Sequence, residues 1–162
     1  MQKLKETLQD AGVVVKDRKK VLKNNSPVVQ MWQLRLAEQQ LPAIKMGDQA
    51  MKKVKKADEP SVRSWICCEQ SMSYGILEEY ARALQKAEQA VDEDPKLASA
   101  LSTLGAAQIV SSRWDEGSAI FEKAIAIGPA PVARGGSARH QGRAGRGGEA
   151  RGPARGQRRG GG

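Results

Sequence analysis

Apolar residues recur at intervals of three and four along most of the chain, and this pattern stops near Pro129. Such spacing places the apolar side chains on one face of an α-helix. Proline, serine and aspartate interrupt the pattern and divide it into short helices. We predict six of them, over about 26–41, 43–57, 61–76, 78–91, 96–110 and 115–128. The brief connections predict antiparallel hairpins, and therefore an all-α fold.

Individual residues indicate where these helices begin and end. Ser26 followed by Pro27 is typical of an N-cap and a first helical turn. Pro42 is expected to break the helix that precedes it, because proline lacks the backbone N–H that a helix interior needs. Ser61 and Asp115 are the predicted N-caps of two later helices.

The chain also matches itself when it is shifted by 34 residues, the distance from Pro95 to Pro129. A constant shift of this kind indicates an internal repeat. Ala83 and Gly117 are small enough for two helices to approach closely, and Tyr80 and Trp114 are expected to fill the volume one turn earlier. The seven matching pairs share one ungapped register: Ile76–Val110, Tyr80–Trp114, Ala83–Gly117, Glu88–Glu122, Ala90–Ala124, Val91–Ile125 and Pro95–Pro129.

This pattern resembles the tetratricopeptide repeat family, whose helix–turn–helix unit of about 34 residues has the same length as the offset. The resemblance is carried in residues 98–129 by Leu101, Leu104, Gly105, Trp114, Gly117, Phe121, Ala124 and Pro129. Residues 64–97 match in their second helix, through Tyr80, Ala83, Ala87, Ala90 and Pro95, but carry Gln70-Ser71 where Leu-Gly is usual. A degenerate copy over about 28–60 fits through Leu36, Ala37, Ala50, Val54 and Ala57 if one residue is inserted. The alternative is a set of amphipathic hairpins that match the family by chance.

The resemblance implies a short solenoid of stacked hairpins, whose first helices line a groove that binds partner peptides or helices. The groove candidates are Met31, Leu34, Glu38, Leu41, Trp65, Cys68, Met72, Ser99, Ser102 and Ala106. Family members that clamp a C-terminal carboxylate use Lys, Arg and Asn there, and no such set appears. We therefore expect an apolar or amphipathic partner segment. The alternative is that Met31, Leu34 and Trp65 are core residues between hairpins.

Charge divides the chain into an acidic middle and two basic ends. Residues 1–63 hold 14 Lys/Arg against 7 Asp/Glu, residues 64–129 hold 5 against 10, and residues 130–162 hold 8 against 1. The basic segment 1–25 is predicted to be partly helical, and its residues 21–23 could end a half repeat. Lysines cluster at 16–23 and 52–56, where they form either a solvated surface or a nucleic-acid contact.

The segment 130–162 has no apolar residue larger than Val132, so we predict that it is disordered. Its three Arg-Gly-Gly triplets, which begin at Arg134, Arg146 and Arg159, resemble the RGG tails of RNA-binding proteins. Such tails bind RNA through phosphate contacts and base stacking, but this one lacks aromatic residues. The alternative is a GC-rich stretch read out of frame, which makes the chain a truncated or frame-altered repeat protein with no function for the tail.

The sequence gives no indication of an enzyme. His140 is the single histidine and lies in the predicted disordered tail, and the adjacent Cys67 and Cys68 lack metal-ligand spacing. We therefore expect no cofactor and no metal. The polar N-terminus and the lack of a long apolar stretch predict a cytoplasmic protein without a membrane segment. The last predicted helix carries Ile120, Phe121, Ile125 and Ile127 rather than a polar cap, so self-association through this end is a further expectation.

Overall fold

A computed structural model describes residues 1–128, and within this part of the chain every regular element is an α-helix. All the described residues belong to one compact unit. The predicted all-α fold is confirmed, while the predicted disordered tail at 130–162 and Pro129 lie outside the described residues. The helices are α1 (Gln2–Asp10), α2 (Arg18–Val21), α3 (Pro27–Leu36), α4 (Gln40–Lys53), α5 (Pro60–Ile76), α6 (Tyr80–Glu93), α7 (Ala98–Val110) and α8 (Trp114–Ile127).

Helices α3 to α8 pack as three consecutive hairpins, α3–α4, α5–α6 and α7–α8. Each hairpin also packs against the next one through its second helix and the following first helix. The first helix of each hairpin contacts the first helix of the next, as α3 does α5 and α5 does α7. Within residues 1–128, the second helices α4, α6 and α8 do not contact each other to the same extent. The array therefore curves with α3, α5 and α7 on its inside, and we call the surface that they line the inner face.

The three hairpin turns have the same backbone geometry. Glu38, Glu78 and Ser112 each take up the left-handed conformation, with φ of 58°, 60° and 65°. In each turn the next backbone N–H donates to the carbonyl five residues earlier, at 2.8–2.9 Å. This is the Schellman motif, which satisfies the last carbonyls of a helix and reverses the chain. Three residues connect the two helices in every case.

The structure corrects several predicted helix ends. Pro42 does not end a helix but lies third in α4, where a helix tolerates proline because the first N–H groups have no intrahelical partner. The break falls at residues 37–39 instead, so Leu41 belongs to a second helix. The N-cap prediction is confirmed for Ser26, whose Oγ accepts from the Val29 N–H at 3.3 Å. It is wrong for Ser61 and Asp115, which lie inside α5 and α8.

The first and second hairpins are farther apart in the sequence than the second and third. A single inserted residue, as predicted for the degenerate copy, does not account for the difference. Helices α6 and α8 begin at Tyr80 and Trp114, whereas α4 begins at Gln40, farther from Tyr80. The interval is longer because α5 has 17 residues against 13 in α7, and because the linker before α5 spans 54–59 whereas that before α7 spans only 94–97.

The inward small residues of the second helices follow this longer offset. They are Ala43, Gly47 and Ala50 in α4, and Ala83, Ala87 and Ala90 in α6. Val54 and Ala57, which the repeat comparison places in the second helix of the degenerate copy, both lie beyond the end of α4.

Small residues set the separation of helices in the last hairpin. An added Cβ at Gly117 would lie 2.8 Å from the Gly105 carbonyl oxygen and 2.7 Å from Ile109 Cγ1. The matching pair in the preceding hairpin is larger, and there the Ser71 hydroxyl donates to the Ala83 carbonyl at 2.8 Å. The predicted role of Ala83 and Gly117 in close approach therefore agrees with the geometry.

The predicted filling role of Tyr80 and Trp114 is wrong. Both are the first residue of a second helix, and they are 42% and 64% exposed. They occupy equivalent positions on the surface rather than in the interior.

Arg63 joins three helices through one side chain. Its guanidinium pairs with both carboxylate oxygens of Glu93 in α6, each at 2.8 Å. It also donates to the carbonyls of Met51 and Val54 at the end of α4, at 2.7 and 2.6 Å. The hydrogen bonds from Arg63 lower the pKa of Glu93 below its usual 4.5 and outweigh the opposing effect of burial. Stability from this pair is therefore present at neutral pH and is lost as the pH falls through the lowered Glu93 pKa.

The variant Arg63→Met should lower the free energy of unfolding by about 3 kcal/mol, because it removes both short hydrogen bonds to the buried Glu93 carboxylate and leaves only Lys56, 3.9 Å away, as a cationic partner. Urea denaturation measures this. Arg82→Met is the matched control, since Arg82 is mostly exposed and pairs with Glu79, the residue that precedes α6. A surface pair of that kind contributes about 1 kcal/mol or less. Equal losses in the two variants would contradict a central role for Arg63.

The variants Gly117→Ala and Gly75→Ala should shift stability in opposite directions. A methyl group at Gly117 meets a backbone oxygen and costs up to about 3 kcal/mol of overpacking, against a helix-propensity gain of about 1 kcal/mol. A Cβ at Gly75 meets no atom within 4 Å, so that variant should gain about 0.5–1 kcal/mol. Thermal and urea denaturation of both variants test this, and stabilisation by Gly117→Ala would show that the two helices are free to separate.

Candidate partner-binding face

The groove residues predicted from the sequence fall into three environments. Met31, Trp65 and Cys68 are buried in the hydrophobic core, so they are core residues here rather than an open surface. Glu38 lies in the α3–α4 turn and Leu41 lies on α4, so neither belongs to a first helix. The remaining candidates lie on first helices and are half-buried or exposed: Leu34, Met72, Ser99, Ser102 and Ala106.

The three buried candidates share their hydrophobic cluster with the N-terminal segment. Leu4 and Leu8, one helical turn apart in α1, are 0% and 2% exposed and belong to the same cluster as Met31, Trp65 and Cys68. These leucines are the only fully buried residues of α1, whose other side chains are mostly polar and exposed. A small amphipathic helix of the chain itself therefore completes this part of the core.

Hydrogen bonds show the path of the segment that follows α1. The Ala11 carbonyl accepts from the Ser99 hydroxyl of α7 at 3.0 Å, and Gly12 lies beside Leu97. The backbone N–H groups of Lys16 and Asp17 then donate to the Glu59 carboxylate, just before α5, at 3.0 and 2.5 Å.

The segment ends beside the start of α3, where the Ser26 hydroxyl donates to the Val21 carbonyl at 2.5 Å. The chain thus passes the N-terminal ends of α7, α5 and α3 in turn. We call residues 1–22 the N-terminal cover.

The opposite end of the inner face is open and apolar. Met72 is 41% exposed, and Ile76 follows it one helical turn later on the same side of α5. Ala106 and Val110 repeat this arrangement on α7. The last residues of the three first helices, Leu36, Ile76 and Val110, are 53%, 58% and 52% exposed, and we call them the turn row. One exposed apolar side chain per hairpin marks the turn end of the inner face.

Sequence reasoning missed the turn row as a surface. It paired Ile76 with Val110 but left Leu36 without a partner, because the first hairpin was aligned at the wrong offset. A comparison of the chain with itself at a shift of 40 residues would have revealed the turn row, because it aligns Leu36 with Ile76. The same shift aligns Glu38 with Glu78 and Ala50 with Ala90.

Buried polar groups fix the first helices against each other. Arg35 of α3 pairs with Glu69 of α5 at 3.1 Å and also donates to Gln40. Burial raises the pKa of Glu69, and the charge of Arg35 offsets this only in part. Burial also raises the pKa of Cys67 to about 11 and that of Cys68 to about 12, so both thiols stay protonated at neutral pH. These side chains therefore support structure and offer no reactive thiolate.

A second feature lies beside the N-terminal cover. A cavity of about 580 Å³ opens between α2, the start of α3 and the α4–α5 linker. The two lysine clusters predicted from the sequence meet around it, although Asp17, Asp58 and Glu59 also line its wall. Five lysines line the cavity: Lys16, Lys20, Lys23, Lys53 and Lys55. The fold thus joins two clusters that are distant in the sequence into one basic site.

The outer surface of α8 carries exposed apolar residues. Ile125 is 65% exposed and Ile127 is 48% exposed, while Ile120 and Phe121 are half-buried. Self-association through this end stays a prediction. The tail residues singled out for RNA contacts, Arg134, Arg146 and Arg159, and also His140, lie outside the described residues.

Within residues 1–128, no helix combines the length and the apolar character that a membrane crossing requires. No protein-family model and no curated protein matches this chain.

Proposed function

We propose that the chain is a tetratricopeptide-like adaptor without catalytic activity, which binds an apolar or amphipathic segment of a protein partner along its inner face. The repeat interpretation is supported by the spacing of α6 and α8, which begin at the matched residues Tyr80 and Trp114, and by the identical turn geometry of the three hairpins. It is also supported by the contacts between successive first helices, which put α3, α5 and α7 on the inside of the curve.

The open end of the inner face carries this proposal. Met72 and the turn row present apolar side chains that are about half exposed, and the turn row recurs once per hairpin. An array of this kind suits an extended or helical partner better than a small ligand, because its contacts continue from one repeat to the next. The two free, buried cysteines fit a reducing compartment, and we propose the cytoplasm.

The variants Met72→Glu and Ser102→Glu should remove partners from a pull-down out of the native source, because each places a charge on the surface where an apolar segment is to be desolvated. Ser118→Glu, on the exposed side of α8, is the matched control and should retain them. Quantitative mass spectrometry compares wild type, variants and control. Retention of every partner by both inner-face variants would remove the groove from the proposal.

A second candidate function is RNA binding through the basic regions, and the lysine-lined cavity is the observation that favours it. Lysines grouped on one surface bind phosphates with a strong dependence on salt. The predicted RGG-like tail would add contacts of the same kind. No aromatic side chain lines the described cavity, so base stacking would have to come from elsewhere.

The double variant Lys20→Ala/Lys53→Ala should weaken binding of a single-stranded oligouridine and reduce its salt dependence. Each lost phosphate contact should lower the slope of log K against log salt by about 0.7. Lys45→Ala/Lys123→Ala is the control, with the same change in charge at exposed sites outside the cavity. Fluorescence anisotropy at several salt concentrations measures both. Equal slopes for all three proteins would exclude the cavity as the RNA site, and alanine variants at Arg134, Arg146 and Arg159 then test the tail.

A further inference from the structure

We infer that the N-terminal cover is an internal, displaceable occupant of the inner face, and that the partner is an amphipathic helix that replaces α1. The partner would present two apolar side chains one turn apart, in the positions that Leu4 and Leu8 now fill. This inference rests on the proposed adaptor function and adds the chemical class of the partner and a control on its access.

The chemistry of α1 defines what this part of the inner face accepts. Leu4 and Leu8 enter the cluster that contains Trp65 and Cys68. The rest of α1 is mostly polar and faces solvent. A helix as short as α1 is not stable alone in water, so its helical state depends on the surface that it covers. Another amphipathic helix with two aliphatic residues at this spacing would bury the same kind of surface.

The cover is attached in a way that permits exchange. The backbone of α1 lies farther from the other described helices than the hairpin helices lie from one another. Its packing therefore depends on large side chains, those of Leu4 and Leu8. The polar contacts of the following residues use the Ala11 carbonyl and the N–H groups of Lys16 and Asp17, which are main-chain groups. Ser99 and Glu59, which hold them, could bind the main chain of another segment equally well.

The geometry also provides a hinge. Gly12, directly after α1, has φ of +73°, a conformation that glycine adopts without strain. Val14, in the connection to α2, is 63% exposed. Release of residues 1–13 would therefore pivot at this connection, while Val21, Leu22 and Ser26 keep α2 beside α3.

The hairpins themselves do not depend on the cover for their main polar contacts. Arg63 joins α4, α5 and α6, and serines of α5 bond to the α6 carbonyls of Ala90 and Ala83. Displacement of α1 would thus uncover the part of the core cluster that Leu4 and Leu8 now fill, without separating the hairpins. The partner site would grow from the open end, at Met72, to the whole length of the inner face.

The competition between the tethered cover and a free helix for the same surface can be calculated. A segment on a short flexible connection acts at an effective concentration of about 1 mM. If a free copy of the helix binds the uncovered face with a Kd of about 10 μM, the tethered cover should weaken its binding about a hundredfold. A partner that binds more tightly than the chain's own segment would still displace it.

The test uses the full chain and a labelled peptide of residues 1–13 as the probe. The variant Leu4→Glu/Leu8→Glu should release the cover and bind the peptide about a hundredfold more tightly than wild type does. Lys3→Gln/Lys5→Gln makes the same change in net charge on the exposed side of α1, and it should behave like wild type. A peptide with glutamate at both leucine positions should not bind to any of the proteins.

Hydrogen exchange of the wild-type chain measures release without a mutation or a partner. Amides of α1 should exchange through a local opening, faster than those of α5 and α6. Exchange of α1 at the rate of global unfolding would overturn the inference, even if the leucine variant fails to fold.

The binding outcomes separate the two proposals. Equal peptide binding by wild type and the leucine variant would sink the internal-occupant inference but leave the inner face as a helix-binding site. Loss of partners from the Met72→Glu and Ser102→Glu pull-down, together with no peptide binding to the leucine variant, would overturn the inference and keep the adaptor. Retention of partners by those inner-face variants would instead count against the adaptor itself.

Discussion

The pairing of Arg63 with Glu93 is the interaction on which the described array depends most. One guanidinium supplies four hydrogen bonds, two to the carboxylate at the end of α6 and two to carbonyls at the end of α4. It thereby satisfies backbone groups that a helix end leaves without partners, and it sets the position of α5 relative to both neighbours. A carboxylate buried at this depth is stable only while the cation remains. Small residues at the hairpin contacts then determine how closely each pair of helices packs.

The inner face combines a closed end with an open end, and this division shapes both functional proposals. Leu4 and Leu8 are buried in the same core cluster as Trp65 and Cys68, while Met72 and the turn row remain accessible. A helical repeat array offers a continuous surface to a partner. Under the proposed adaptor function, a chain that covers part of that surface with its own helix would limit the partners that can use it. In this proposal, a partner first contacts the open end at Met72 and the turn row. Only a partner that can replace α1 would also bind the covered part.

The basic cavity shows how folding brings separate groups of charged residues together. In the sequence, the lysine clusters at 16–23 and 52–56 are separate, and each indicates either a solvated surface or a nucleic-acid contact. The N-terminal cover brings them together, because the main-chain groups of Lys16 and Asp17 bind Glu59 just before α5. The N-terminal cover therefore contributes to two features: its residues 1–13 lie against the inner face, and its later residues help to assemble the lysine-lined site.

The amino-acid sequence by itself determined the helical class, the hairpin order and the repeat of the last two hairpins. These follow from local rules, since periodic apolar residues select helices and recurring small residues such as Ala83 and Gly117 set helix contacts. It did not locate the break at residues 37–39, because the left-handed residue of a Schellman turn is usually glycine or asparagine, and this turn has Glu38 there instead. Nor did it separate core from surface among the groove candidates, of which Met31, Trp65 and Cys68 are buried. Only the tertiary structure decided that, because these residues are buried in one core cluster with others from distant parts of the chain, including Leu4 and Leu8. Contacts between residues so distant in the chain leave no periodic trace in the sequence.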